Sequence, residues 1–213
     1  MARRSIHLRA VNACISGALS AAAALADQEL KYALREGSPT TLAYLRYLQL
    51  GIGYLRGDLA GVERYLAAGL EVFDDPAFRQ SPSAQFIDGF GNTAQSAWVA
   101  GRVNVACERL AIAAAAINPA NPYHLAYSDI KVATMHTFSR ENDKVEMLAT
   151  RALELCEQHK ISHLAAASRC LLGHAQAQLG RASGGIGLIR QGIGRCSRLD
   201  RGLFSQSILH AWR

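Results

Sequence analysis

One short pattern recurs five times along the chain, at intervals of 36, 44, 39 and 40 residues. Twelve residues after the start of each copy stands an alanine or a glycine, and the following position is apolar every time. Intervals of about 35 to 45 residues are typical of stacked helical hairpins, because each hairpin can bury its apolar faces only against its neighbours. The five copies start at Ala21, Gly57, Gly101, Arg140 and Gly180.

The small residue of each copy predicts close packing between the two helices of a hairpin. Without a bulky side chain at the crossing point, two helix axes can approach to about 8 to 10 Å. Glycine at such a position costs up to about 1 kcal/mol of helix propensity relative to alanine, so closer packing must offset that loss. The five small residues are Ala33, Gly69, Ala113, Ala152 and Gly192.

Composition and local spacing favour a chain made only of helices. Aromatic residues are 7% of the sequence, and all five prolines fall in predicted loops or first helical turns, where the missing N–H does no harm. Apolar residues recur at three or four positions in nearly every segment, which is the helical period. Asp58 is well placed to cap the start of a helix. We predict one domain over residues 1–213, with hairpins at 5–36, 39–74, 83–118, 121–159 and 161–198.

The last residues of the chain predict the start of a further helix. Residues 203–213 carry Leu203, Phe204, Ile208 and Trp212, which would begin a further helix that has no partner in the sequence. The end of a helical stack normally has a polar outer face. This segment therefore predicts self-association through a C-terminal helix, or a chain taken from a longer protein.

The net charge of +6 lies at the two ends of the chain. Three arginines precede residue 10, and six arginines against one aspartate follow residue 180, so the region between carries 14 basic and 16 acidic groups. The middle of the protein is thus not a polyanion-binding surface by charge, and nucleic acid is not the expected partner. No stretch has the roughly 20 continuous apolar residues of a membrane span.

The cysteines bear on the cellular compartment. There are five, widely spread and with no C-x-x-C pair, which favours buried thiols in a reducing environment over disulfides. Residues 1–26 have an arginine-bearing start and an alanine-rich run like a secretory leader, but polar residues interrupt the run and the segment leads into the first repeat. We expect a cytoplasmic protein.

Three segments resemble a known group of proteins. They are Gly57–Leu70, Asn121–Tyr127 and, most specifically, Leu171–Ala175 followed by Leu179–Arg181 and Gly185–Gly192. Together they resemble the tetratricopeptide-like C-terminal region of bacterial signalling proteins in which a class III adenylate/guanylate cyclase domain precedes an AAA-type ATPase. The resemblance covers roughly residues 20–210. It implies a right-handed α-α superhelix of about five tetratricopeptide-like hairpins.

The chain departs from those signalling proteins in having no cyclase domain before the repeats and no G-x-x-x-x-G-K-[ST] motif, which ATP hydrolysis requires. The resemblance therefore implies a regulatory module without its catalytic domains. Such a module would be a stand-alone relative of those proteins or a fragment of one.

Sequence motifs give little support to catalysis or metal binding. Cys156, His159 and His163 have spacings that can place them on one helix face, but a helix end at Lys160 and Ile161 would interrupt that face, so we interpret His159 as a residue at a helix C-terminus. The glycines between 184 and 194 lack the spacing and preceding strand of a phosphate loop, and packing explains them better. We expect no enzyme activity, metal or cofactor.

Binding of a protein or peptide is the function that the sequence favours. In helical repeats the first helix of each hairpin lines the inner wall, which commonly receives a peptide or partner helix. A small-molecule-sensing helical domain is the alternative, and a cavity rather than an open groove would favour it. The polar or aromatic residues predicted for the wall are Tyr44, Arg46, Tyr47, Gln49, Gln95, His124, Tyr127, Lys131 and Arg169.

Overall fold

The computed structural model describes residues 9–10, 13–14, 16–79 and 84–199 of the chain, without the side chains of residues 36 and 195–199. These residues form helices and turns, with no strand among them, so the predicted all-α class is confirmed. The helices are α1 (Leu19–Glu36), α2 (Pro39–Arg56), α3 (Leu59–Phe73), α4 (Pro76–Arg79), α5 (Gln85–Val99), α6 (Val103–Ala115), α7 (Pro122–Phe138), α8 (Asn142–Gln158), α9 (Ser162–Gln178) and α10 (Ala182–Leu199).

The chain divides into two compact units, Met1–Ala116 and Ile117–Arg213. In the first unit α1 packs on α2, α2 on α3, and α5 on α6, while α2 and α5 also touch each other. In the second unit α7 packs on α8, α8 on α9 and α9 on α10. Four pairs of consecutive helices therefore form hairpins among the described residues: α2 with α3, α5 with α6, α7 with α8, and α9 with α10.

Four of the five repeat starts lie at the turn inside a hairpin. Gly57, Gly101, Arg140 and Gly180 have φ angles of 70°, 77°, 58° and 87°, in the left-handed region that ends a helix and that glycine adopts without steric cost. The first start differs: Ala21 lies inside α1, and the left-handed residue is Gly17, one helical turn earlier, at φ 79°. Residues four positions apart lie on the same face of a helix, so the spacing of apolar residues does not show at which of the two residues α1 begins.

The predicted small residues lie in the interior of the protein. Ala33, Gly69, Ala113, Ala152 and Gly192 are all buried. A Cβ added to Gly192 would come within 2.6 Å of the Cys170 Sγ and 2.7 Å of the Ala166 carbonyl oxygen, both on the facing α9. The reason for a small residue at this position is therefore confirmed at Gly192.

Capping side chains fix several helix starts. Asp58 accepts a hydrogen bond from the Gly61 N–H at 2.8 Å, as its position before α3 predicts, and Asn121 accepts from the Tyr123 N–H at 2.9 Å. No helix in the described part of the chain combines the length and the apolar character needed to cross a membrane. The segment 203–213 and residues 5–8, 11, 12 and 15 of the predicted first hairpin at 5–36 lie outside the described residues.

The connection after α3 contains a short helix that the sequence did not predict. Asp75 caps α4 by accepting from the Phe78 N–H at 3.0 Å, and it also accepts from the Thr40 hydroxyl at 3.0 Å. These bonds place Phe78 in the core with 1% of its surface exposed. Its ring contacts four others, those of Tyr44, Tyr47, Phe73 and Phe86, at centroid distances between 5.2 and 6.4 Å.

An ion network joins the hairpins of the first unit. The Glu63 carboxylate on α3 accepts from both terminal nitrogens of Arg109 at 2.7 and 2.6 Å, and from Arg102 at 2.6 Å. Arg109 also donates to the Thr93 carbonyl oxygen at 3.0 Å. Hydrogen bonds from the two guanidinium groups, chiefly that of Arg109, lower the pKa of Glu63 to about 2.

This network predicts an acid-dependent loss of stability. Below pH 4.5 an unfolded chain protonates Glu63, whereas the folded chain keeps it charged down to about pH 2, so its contribution is present above pH 4.5 and is lost as the pH falls toward 2. We expect Glu63→Gln to lower the free energy of unfolding by about 1 to 2 kcal/mol at pH 7, allowing for solvent screening. The difference from the wild type should vanish near pH 2.

Urea unfolding at pH 7, 4 and 2.5 measures this effect. Glu108→Gln is the control, because Glu108 is an exposed glutamate of the same unit on α6. A Glu63→Gln deficit that stays constant from pH 7 to 2.5, or that equals the effect of Glu108→Gln, would show that the network does not stabilise the fold through charge.

Candidate functional site

All nine residues predicted for the binding wall lie on the first helices of hairpins, namely α2, α5, α7 and α9. None is fully exposed. Three of them, Tyr44, Arg46 and Tyr47, are half-buried. The other six are buried, with 2% to 8% of their surface exposed: Gln49, Gln95, His124, Tyr127, Lys131 and Arg169.

In the first unit, two of the predicted tyrosines lie side by side over Phe78. The Tyr44 ring meets the Phe78 ring edge-on at 5.2 Å. The Tyr47 hydroxyl donates to the Asp88 carboxylate on α5 at 2.7 Å. Tyr47 therefore connects the first helices of two successive hairpins. Asp88 belongs to the candidate site through this bond, although it is not among the nine residues predicted for the wall.

Two predicted amides of the first unit, Gln49 and Gln95, are buried. Arg46 donates to the Gln49 side-chain oxygen at 3.0 Å, and the Gln49 amide donates to the Asp27 carboxylate of α1 at 2.7 Å. Gln49 thus pairs with the neighbouring helix, and Gln95 has 2% of its surface exposed on α5. These two amides are not presented to a partner.

In the second unit, an aromatic and basic group lies across α7 and α9. The Tyr123 and Tyr127 rings stack at 5.8 Å, and the Lys131 ammonium lies 5.4 Å from the centre of the Tyr127 ring, within cation–π range. The Tyr123 hydroxyl is 3.1 Å from the His163 Nε2 on α9. Burial lowers the pKa of His163, so its imidazole is neutral at pH 7.

His124 and Arg169 take part in internal contacts of the second unit. The His124 Nδ1 accepts from the Asn118 N–H at 3.3 Å. Arg169 on α9 forms an ion pair with Glu157 on α8, and its Nη1 has no hydrogen-bond partner. Because the Arg169 guanidinium is covered in the present packing, these two residues position helices and do not form an open surface.

The two units share one arrangement. Tyr47 with Asp88, and Tyr123 with His163, each join the first helices of successive hairpins through half-buried side chains. We call these groups the first-helix strips: Tyr44, Tyr47 and Asp88 in one unit, and Tyr123, Tyr127, Lys131 and His163 in the other. The i, i+4 spacing of Tyr123 and Tyr127 on α7 is a signal from which Tyr123 could have been selected.

The predicted interpretation of the candidate metal ligands is confirmed at His159. α8 ends at Gln158, and His159 follows it as an exposed residue, while Cys156 is buried. Burial raises the pKa of the Cys156 thiol to about 11, so it is protonated at neutral pH. Within the described residues, no three histidine, cysteine or acidic side chains are close enough to hold a metal ion.

The other cysteines with described side chains differ in environment. Cys14 and Cys170 are buried, as expected, and burial raises the pKa of Cys14 to about 11. Cys107 is exposed on α6, which corrects the expectation of buried thiols at that position. An exposed thiol arises there because Cys107 directly follows Ala106, whose side chain faces the core.

A small-molecule-sensing domain, the alternative function, requires a cavity, and the first unit contains a cleft. It has a cavity volume of about 10 Å³, is partly open to solvent, and is lined by Ala23, Asp27, Gln49, Ile52, Gly53, Arg56, Asp58 and Tyr65. Asp27 already accepts from Gln49, and Asp58 from the start of α3. A cavity of that size has room for about one water molecule and is far below the roughly 300 to 1,000 Å³ of typical ligand sites, so this cleft does not favour that alternative.

Comparison with known proteins bears on the fold. No protein-family model matches the chain, and no curated protein matches it. Among solved structures, it is similar to BtubC (BKLC) from P. vanneervenii, with a TM-score of 0.62 and 13% sequence identity. The likeness covers 86% of this chain and 75% of BtubC. At this identity it bears on the fold alone.

Proposed function

We propose that this protein is a non-catalytic interaction module that binds a partner protein through its first-helix strips, each strip within its own unit. The observation that carries the proposal is the repeated contact between successive first helices, Tyr47 to Asp88 in one unit and Tyr123 to His163 in the other. Half-buried tyrosines held by hydrogen bonds are suited to binding, because they add a large contact area and lose little entropy.

The wider setting follows from the sequence resemblance. It implies a regulatory module of a bacterial signalling system, either a stand-alone relative or a fragment of a cyclase/ATPase regulator. We further propose that it acts in the cytoplasm and without a cofactor. The buried thiols Cys14, Cys156 and Cys170 are compatible with a reducing compartment.

Truncating the strips should weaken partner capture. We expect Tyr44→Ala combined with Tyr123→Ala to reduce recovery of specific partners from a lysate of the source cells by at least about tenfold, which corresponds to about 1.4 kcal/mol. Quantitative mass spectrometry of proteins captured by the immobilised full chain measures this. The control is Tyr32→Ala, because Tyr32 is 46% exposed on α1, outside both strips.

Circular dichroism must show unchanged helix content in each variant. If the double alanine variant loses structure, Tyr47→Phe with Tyr123→Phe keeps the rings and removes only the hydroxyls that join the helices. Capture that is equal for the wild type and for all folded strip variants would show that the strips are not the binding surface.

A further inference from the structure

A second surface lies on α10, a helix that contains no residue of the first-helix strips. Ser183, Ile186, Gly187, Arg190 and Ile193 recur at three- or four-residue steps, so they lie along one side of the helix. We call this side the α10 outer face. Ile186 is 46% exposed and Ile193 is 52% exposed, so two large apolar side chains stand in solvent one above the other.

The opposite side of α10 is held tightly against α9. A Cβ added to Gly185 would come within 2.3 Å of the Gly173 carbonyl oxygen, and one added to Gly192 within 2.6 Å of the Cys170 Sγ. α10 therefore cannot rotate to bury Ile186 and Ile193 without losing this contact. The α10 outer face is a fixed feature of the folded unit.

Charge indicates what kind of molecule would cover this face. The sequence of α10 contains three arginines and no acidic residue. Arg190 lies mid-helix between Ile186 and Ile193, is exposed, and has no acidic partner among the described residues. The nearby Arg181 differs, because its guanidinium bonds to Glu146 at 2.6 Å. An apolar face that contains an unpaired cation is complementary to an apolar face edged by carboxylates.

Gly187 indicates the shape of that molecule. A Cβ added there would meet nothing within 4 Å, so the backbone of α10 is uncovered beside Ile186. An uncovered backbone beside an apolar side chain lets a second helix approach closely. A lipid surface is a poorer fit, because a glycine offers no side chain to insert into the membrane. A second copy of α10 is also a poorer fit, because it would bring two Arg190 side chains of like charge close together.

We propose that the α10 outer face binds an acidic amphipathic helix of another protein. The apolar side of that helix packs on Ile186 and Ile193, and its glutamates or aspartates pair with Arg190. This site goes beyond the first-helix strips, and either surface can bind a partner without the other.

Designed peptides can test the proposal with the full chain. The probe is an 18-residue fluorescein-labelled helix with leucine on one side and glutamate on the other, and a second peptide has lysine in place of glutamate. We expect the wild type to bind the glutamate peptide in fluorescence anisotropy, with at least tenfold weaker binding to the lysine peptide. Ile193→Ser and Arg190→Gln should each weaken the glutamate peptide by about tenfold.

The matched control is Leu70→Ser, because Leu70 occupies the same repeat position as Ile193 and is 51% exposed on α3. Its affinity for the glutamate peptide should equal that of the wild type. The proposal is overturned if the wild type does not bind the glutamate peptide, or if Ile193→Ser and Leu70→Ser bind it equally. It is also overturned if the protein binds anionic vesicles but not the peptide, or if ultracentrifugation shows a dimer that Ile193→Ser dissociates.

Discussion

Phe78→Ala is expected to lower the free energy of unfolding by about 3 to 4 kcal/mol, one of the two largest effects that we expect from a single substitution in this chain. The Phe78 ring is 1% exposed and contacts the rings of Tyr44, Tyr47, Phe73 and Phe86. Removing it leaves a cavity that these rings cannot close, because each of them is attached to a helix already fixed by other contacts.

Urea unfolding followed by circular dichroism measures this loss. Tyr32→Ala is the control, because it removes an aromatic ring of similar size that is 46% exposed, and it should change the free energy of unfolding by less than about 0.5 kcal/mol. A loss below about 1 kcal/mol for Phe78→Ala would mean that α4 is not part of the folded core.

The short helix α4, which contains Phe78, is the part of the fold that could not be predicted from the sequence. The longer helices were predictable because apolar residues repeat at the helical period over four or more turns, as they do from Leu42 to Leu55. α4 has only four residues and one buried side chain, so it contains no period to detect. Its position depends on Asp75 and Thr40, which are 35 residues apart.

The candidate site was less predictable than the fold, for a related reason. Spacing places a polar residue on a helix, but it does not show which neighbouring helix supplies its partner. Gln49 pairs with Asp27 and Arg169 with Glu157, so two predicted wall residues bind inside their own unit. Asp88 and His163 become part of the strips only through contacts with tyrosines 41 and 40 residues away.

The glycines of α10 separate in the structure into two groups that the sequence does not distinguish. Gly185 and Gly192 face α9 at a very short distance, whereas Gly187 faces open space. All three lie within one helix, where glycine costs up to about 1 kcal/mol relative to alanine. The packing explanation that the sequence favoured therefore applies to two of them and not to Gly187.

Alanine substitutions at these glycines are expected to have opposite effects on stability. Gly185→Ala should lower the free energy of unfolding by about 2 to 3 kcal/mol, because its Cβ would come within 2.3 Å of the Gly173 carbonyl oxygen and 2.9 Å of the Ala177 nitrogen, both backbone atoms. Gly187→Ala should raise the free energy of unfolding by about 0.5 to 1 kcal/mol, since its Cβ meets nothing and the helix propensity improves.

Urea unfolding of the two variants beside the wild type distinguishes helix propensity from helix packing. Propensity alone would make both alanines stabilising, because each replaces a glycine inside the same helix. The packing of α10 on α9 makes Gly185→Ala destabilising, and this sign cannot arise from the isolated helix. If both substitutions stabilise the protein, the close crossing of α9 and α10 is wrong, and the α10 outer face loses the rigid support that its proposed partner requires.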